Sequence, residues 1–274
     1  MPGLEDHESA SVVKALCVGD SGAGKSGALA SLVDYGFNVR VLDFDNGLGV
    51  LKGHVKKKEN LRNVHYVTLR DRLKLMGSRM GLAKADSFQR GMNALEEGGQ
   101  KHWGEAGAHI GPIYTWTSRD ILVLDTLATA GKSSLAMVMY ANGFTMKAPE
   151  IQHYGTAMDN LEKLLDYLTS DEIQCHVIVN THIAPSAEGS LKMYPEALGS
   201  KLGPKVAKPF DNMLSLSISG RSRSFKTQSD GLLALKTSRP IQATYPIETG
   251  WVSIFQDLLG TKDLLKPEQI AVAS

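Results

Sequence analysis

KALCVGDSGAGKS, residues 14–26, decides how the rest of the chain is read. The apolar run VVKALCV, residues 12–18, predicts a short buried strand. Gly19, Asp20, Ser21, Gly22, Ala23, Gly24, Lys25 and Ser26 follow it at once and fit G-x-x-x-x-G-K-[ST]. GALASLVDYG comes next and predicts a helix, with Ala28, Leu29, Leu32 and Val33 as its apolar stripe and Gly36 as its C-terminal cap. The chemistry needs this order. Glycines let the backbone curl so that successive N–H groups point inward around a polyphosphate. The helix N-terminus adds partial positive charge. Lys25 reaches the β- and γ-phosphates as a point charge, and the Ser26 hydroxyl completes a Mg²⁺ shell. The cofactors read from the loop are therefore a nucleoside triphosphate and Mg²⁺.

Three further runs extend the pattern. NVRVLDFDNG, residues 38–47, predicts a strand ending in Asp43 and Asp45, at the sheet edge where open α/β folds bind ligands. One of the two, Asp45 for preference, polarises the attacking water; the ordinary alternative is turn chemistry in Asp-Asn-Gly. DILVLDTLAT, residues 120–129, reads as a buried strand whose Asp125 holds Mg²⁺ through its water shell. Thr126 rather than a glutamate follows Asp125, so the water-polarising group has to come from another strand end. CHVIVNTHI, residues 175–183, ends in Asn180, Thr181 and His182. Thr181 and His182 read as γ-phosphate sensors, with a satisfied strand-end histidine as the alternative.

The bulk numbers exclude several classes. The 274 residues are 42% hydrophobic and 22% charged with net charge +1, ordinary for a globular chain and too neutral to attract nucleic acid except through a local patch. Cys17 and Cys175 lie in apolar runs and read as buried reduced thiols. His102, His109 and His153 have no metal-ligand spacing. The first residues lack a signal-peptide pattern, and no apolar run approaches the roughly 20 residues of a membrane span. The expectation is a cytoplasmic protein with no membrane partner.

GDSGAGKS, LDFDNG, ILVLDT and VIVNTH, in that order, resemble the RecA-like branch of P-loop ATPases. More narrowly the chain looks like the compact phage-encoded RecA-core ATPases of single-strand annealing and recombination. The resemblance covers about residues 12–240 and implies α/β architecture: a mainly parallel sheet of RecA-like strand order with helices on both faces. It also implies ATP as the nucleotide, hydrolysis as the activity, single-stranded DNA as a partner and homo-oligomers in rings or filaments. A single-strand-binding or replication protein is a further partner it allows, and host cytoplasm is the location for a phage-encoded chain. DNA-binding loops of that family follow both the strand ending at Asp125 and the sensor strand. The stretch ALGSKLGPKVAKPF, residues 197–210, falls in the second. Lys192, Lys201 and Lys205 are accordingly DNA-contact candidates, with Met193 and Tyr194 as a stacking surface and Glu188 and Glu196 as the loop's acids. A solvated loop is the ordinary alternative. Cations past this loop reach a neighbouring subunit's γ-phosphate in such oligomers; Lys205, Lys208, Arg221 and Arg223 fit, and the sequence does not choose among them. SGRSRSF also reads as a plain hairpin turn.

Residues 47–118 are the least legible. NVHYVTLRD predicts a strand and ADSFQRGMNALEEG a helix, while the segment bearing Trp103 and Trp116 is either an insertion near the nucleotide base or a packed loop. Residues 130–156 are expected to be a mobile first DNA loop plus a short helix, and GLLALKTS a late strand; Gly131-Lys132-Ser133 only imitates a phosphate loop. The whole, 1–274, reads as one domain with a short extension at 241–274. Three functions compete: a single-stranded-DNA-dependent recombination or annealing ATPase, a motor or loader subunit of phage replication or packaging, and a nucleotide-gated assembly module with little turnover.

Overall fold

A computed structural model describes residues 11–186, 191–199 and 201–265. Strands alternate with helices from the start: β1 Lys14–Gly19, α1 Lys25–Ala28, α2 Ala30–Tyr35, β2 Asn38–Asp43, α3 Gly49–His54 and β3 Val64–Thr68. A hairpin, β4 Arg72–Met76 and β5 Arg79–Lys84, precedes α4 Ser87–Glu97 and α5 Gln100–Trp103. Then come β6 Asp120–Asp125, α6 Leu127–Ala141, α7 Ile151–Thr169 and β7 His176–Thr181. The chain ends with β8 Ile183–Pro185, β9 Met193–Pro195, α8 Gly203–Val206, β10 Asn212–Ser219, β11 Ser222–Lys226, β12 Thr244–Pro246 and α9 Gly250–Leu259.

Eight strands form the main sheet in the order β12-β11-β10-β1-β7-β6-β2-β3. The six from β10 to β3 are parallel, and β11 and β12 continue antiparallel. This is the expected mainly parallel α/β sheet. The β6 and β7 strands separate β1 from β2, its successor in sequence, so the chain leaves β1 in one direction and returns to its other side at β10. Ligands of open α/β sheets bind at such a reversal, beyond the carboxyl ends of the strands.

Burial on both faces explains why these strands read as unbroken apolar runs. In β1, Leu16 and Val18 enter a core shared with Phe88 and Leu95 of α4, Val138 of α6 and Leu161, Leu165 and Leu168 of α7. Ala15 and Cys17 enter the opposite core, against Leu32 and Val33 of α2, Leu51 of α3 and Trp251, Ile254 and Phe255 of α9. Lys14 is buried too, its ammonium donating to the carbonyls of Leu168 and Ile173 at the end of α7. Burial pushes both thiols up to about 12, so Cys17 and Cys175 are inert.

Some expectations need correction, and others are decided between their alternatives. The short helix expected at SSLAMVMYANG is present but longer: residues 127–141 form four turns, starting where a mobile loop was expected, because Leu127, Ala130, Ser134 and Val138 face the core. Gly131 sits inside that helix at the contact with Leu161 and Leu198. Trp103 and Trp116 are packed edge to face at 6.0 Å in the core, away from the phosphate loop. Among the described residues GLLALKTS makes two isolated bridges, Met193 with Leu233 and Met213 with Lys236, in place of a strand. SGRSRSF is a hairpin turn between β10 and β11, with Gly220 at φ 59°. Among the described residues no helix is long and apolar enough to cross a membrane.

Candidate functional site

Residues 19–26 turn from the end of β1 into α1. Gly24 has φ 101°, a left-handed conformation costly for any side chain. A Cβ there would also lie 2.8 Å from Ile247 Cδ1 and 3.1 Å from Arg223 Cδ. The Lys25 ammonium donates to the carbonyls of Gly19 at 2.7 Å and Asp20 at 3.0 Å. It lies 3.2 Å from His182 Nδ1. Burial draws its pKa down, and the carboxylates of Asp125 and Asp45 oppose that.

Register brings the polar strand ends together. Asp43 of β2 pairs with Asp125 of β6, and Asp125 with Asn180 of β7. Ser26 Oγ donates to Asp125 Oδ2 at 2.7 Å, and Asn180 Nδ2 to Asp125 Oδ1 at 3.1 Å. Burial pushes the Asp125 carboxyl above the usual range; these two hydrogen bonds oppose that, and Asp45 and Asp43 add to it. The peptide joining Asp125 to Thr126 is cis.

The two carboxylates of LDFDNG separate by environment. Asp43 is buried, and its Oδ1 accepts the Gly47 N–H at 3.2 Å, closing a turn in which Asn46 has φ 57°. Burial raises its pKa, with the Gly47, Asn46 and Leu48 N–H groups opposing. Asp45 instead faces the cleft, its side chain 31% exposed and 3.8 Å from His182 Nε2. The Thr129 hydroxyl of α6 donates to Asp45 Oδ1, and Arg70 Nη2 donates to the Asp45 carbonyl at 2.7 Å. His182 thus stands between Lys25 and Asp45.

The cleft measures about 620 Å³. Ser21, Gly22, Gly24, Lys25 and Ser26 form its floor; Val50, His54 and Lys56 line it, and so do Arg223, Ile247 and Glu248. The residues fit a Mg²⁺-nucleotide. A hydroxyl and a carboxylate are already adjacent at Ser26 and Asp125, and Asn180 Oδ1 is buried with no hydrogen-bond partner among the described residues. A metal-bound water suits such an acceptor.

Other predicted residues lie elsewhere. Thr181 is fully buried and its hydroxyl donates to the Glu196 carbonyl, so it ties β7 to the segment after β9 instead of facing the cleft. Arg223, expected to reach a neighbouring subunit, lines this chain's own cleft from β11. Arg221 is exposed at the hairpin turn. Lys192, Lys201 and Lys208 are exposed, while Lys205 pairs with Glu162 of α7 at 3.3 Å. Met193 and Tyr194 are half-buried in β9, and Glu188 lies outside the described residues. The described residues of the stretch 197–210 form no open loop. Leu198, Leu202, Val206 and Phe210 are buried at every fourth position, leaving the lysines on the outer side. Sequence reading missed Thr129, Arg70, His54 and the own-chain position of Arg223. A threonine one turn into α6 carries no signal linking it to residue 45, and Arg223 reaches the cleft only because β11 folds back on β10.

A family model described as AAA domain matches residues 11–238. The chain belongs to the AAA domain family. It is a nucleotide-binding P-loop ATPase domain with a RecA-like sheet. No curated protein matches this AAA domain. The crystal structure of the RadB recombinase aligns over 87% of this chain and 89% of that chain, at 14% identity and a TM-score of 0.45, too distant to bear on function.

Proposed function

We propose that this AAA domain binds ATP with Mg²⁺, hydrolyses it, and couples turnover to single-stranded DNA in recombination or annealing of the phage type. The observation that carries the reading is the placing of Asp45 and His182 on the cleft wall beside Lys25, next to the Ser26–Asp125 pair. In this reading the N–H groups of residues 19–26 and the Lys25 ammonium hold the phosphates. Ser26 and Asp125 would hold Mg²⁺, which would supply positive charge to the phosphate oxygens. Asp45, steadied by Thr129, orients the attacking water. His182 joins Lys25 to Asp45 and senses the γ-phosphate; Asn180, beside Asp125, takes over the sensing expected of Thr181. Arg223 supplies positive charge in cis.

The cation acting across a ring or filament interface is then Lys208 or Arg221. Lys192 and Lys201 contact DNA, with Lys205 available once it leaves Glu162. A second reading, a nucleotide-gated switch with little turnover, draws on the Thr129–Asp45 hydrogen bond, which occupies one oxygen of the water-orienting carboxylate.

Two variants test the assignment. Lys25→Ala removes binding of a fluorescent ATP analogue. Asp45→Asn keeps binding and lowers kcat on the order of a hundredfold, within the range of a general-base contribution. Binding by Lys25→Ala at wild-type affinity refutes the site; full turnover by Asp45→Asn refutes the role of Asp45.

A further inference from the structure

The hairpin of β4 and β5 stands out in charge and exposure. RLKLMGSRMGLAK, residues 72–84, contains Arg72, Lys74, Arg79 and Lys84 and no acid, in a chain whose net charge is +1. Lys84 is paired with Asp86. Arg72, Lys74 and Arg79 are exposed, and their side chains make no hydrogen bond or ion pair among the described residues. Register divides the ribbon into two faces. Leu73 pairs with Leu82 and Leu75 with Met80, so these four share one face. On that face Leu73 is 58%, Leu75 69% and Met80 61% exposed. Lys74 pairs with Gly81, and Met76 with Arg79, on the other.

The β5 edge of the hairpin meets the segment after α6. Leu82 N–H donates to the Thr145 carbonyl at 3.0 Å, and a Cβ on Gly81 would lie 3.0 Å from Met146 Cγ. Tyr140, also exposed, donates its hydroxyl to the Ala83 carbonyl at 3.4 Å. Lys147 lies over the Phe144 ring at 5.0 Å. Unpaired cations, aromatic rings and uncovered aliphatic side chains therefore share one projection beyond the carboxyl edge of β3.

We infer that this hairpin is a contact surface for single-stranded DNA. The inference rests on the proposed coupling to DNA and adds to it a surface that the lysines of 192–208 do not share. Charge complementarity selects the occupant. A polyanion satisfies three free cations, whereas a second copy of the same ribbon repels them. A single strand also offers unstacked base faces to Leu73, Leu75, Met80 and Tyr140, which a duplex hides. The hairpin root touches the ATP cleft: Arg90 Nη2 donates to the Arg70 carbonyl at 3.2 Å, and Arg70 Nη2 to the Asp45 carbonyl at 2.7 Å. Strand binding at the ribbon thereby bears on the backbone that carries Asp45.

The test is fluorescence anisotropy of a labelled oligothymidylate with the full chain over a salt series. One variant combines Arg72→Ala, Lys74→Ala and Arg79→Ala; the other combines Leu73→Ser, Leu75→Ser and Met80→Ser. Binding of an ATP analogue is the control for folding, since neither variant touches the cleft. The charge variant should bind about tenfold more weakly at low salt and lose about 2 from the log–log salt slope, at roughly 0.7 per phosphate contact. The apolar variant should weaken binding with the slope unchanged. DNA binding by wild type that survives in the charge variant overturns the hairpin and leaves the proposed function standing. No DNA binding by wild type overturns both. Smaller assemblies in sizing experiments with DNA affinity unchanged make the face a contact between copies and overturn the inference.

Discussion

His176 shows how a single buried group shapes the pH response. Its Nδ1 accepts the Val13 N–H at 2.9 Å, its ring packs at 4.7 Å from Phe255, and burial draws its pKa from 6.5 down to about 3. The folded protein holds this ring neutral while the unfolded chain protonates below about 6.5. Stability from this group is complete above that pH and falls as the pH drops toward 3, by about 1.4 kcal/mol per unit. Urea unfolding at pH 7 and pH 5 should show the loss, and His176→Gln should flatten that limb. An equally steep limb in the variant contradicts the assignment. At the cleft, position separates Asp43 from Asp45. The first is spent on closing the Asp-Asn-Gly turn, and the second remains available to a reactant.

At the scale of elements, residues 197–210 show how a lysine-rich stretch is held. Leu202, Val206 and Phe210 are each 1% exposed. Leu202→Ala should therefore cost about 2–5 kcal/mol in chemical denaturation, as other buried leucines do. Lys201→Ala should stay within about 0.5 kcal/mol. Equal effects would mean the stretch is not anchored as described. The apolar spacing was present in the sequence, but glycines and prolines masked it as a loop. The parallel strands were legible for the opposite reason: the ALCV, ILVL and HVIV runs are buried on both faces and carry no competing pattern. The β4–β5 ribbon was illegible because neither of its faces is buried along its length, so no period-2 contrast separates core from solvent. That Lys25, Ser26 and Asp125 meet at one strand edge was readable from spacing. The Asp45–Thr129 and Arg70–Asp45 links were not, since they depend on how α6 and the β3 edge dock.

For the whole molecule, the sheet gathers three carboxylates, Asp43, Asp45 and Asp125, at one edge, with Asp45 and Asp125 acting on Lys25, and the buried Asp125 is more expensive to ionise than in water. With its folded pKa raised, ionised Asp125 disfavours folding above that pKa, and the penalty vanishes below the ordinary carboxylate range. Asp125→Asn should thus leave the unliganded protein at least as stable as wild type at pH 7. Mg²⁺-ATP at a hundred times Kd should stabilise wild type by about 2.7 kcal/mol. The variant should gain little, and thermal unfolding with and without nucleotide separates the two. A variant destabilised when unliganded, yet stabilised normally by Mg²⁺-ATP, would contradict the metal assignment.

The most direct measurement is the steady-state rate of Mg²⁺-ATP hydrolysis, alone, with single-stranded DNA and with duplex DNA, in wild type and Asp45→Asn. Hydrolysis that rises severalfold with single strands, rises less with duplex and is lost in Asp45→Asn is the predicted result. A rate indifferent to DNA, or one that Asp45→Asn retains, would contradict a cleft in which Asp45 turns strand binding into turnover.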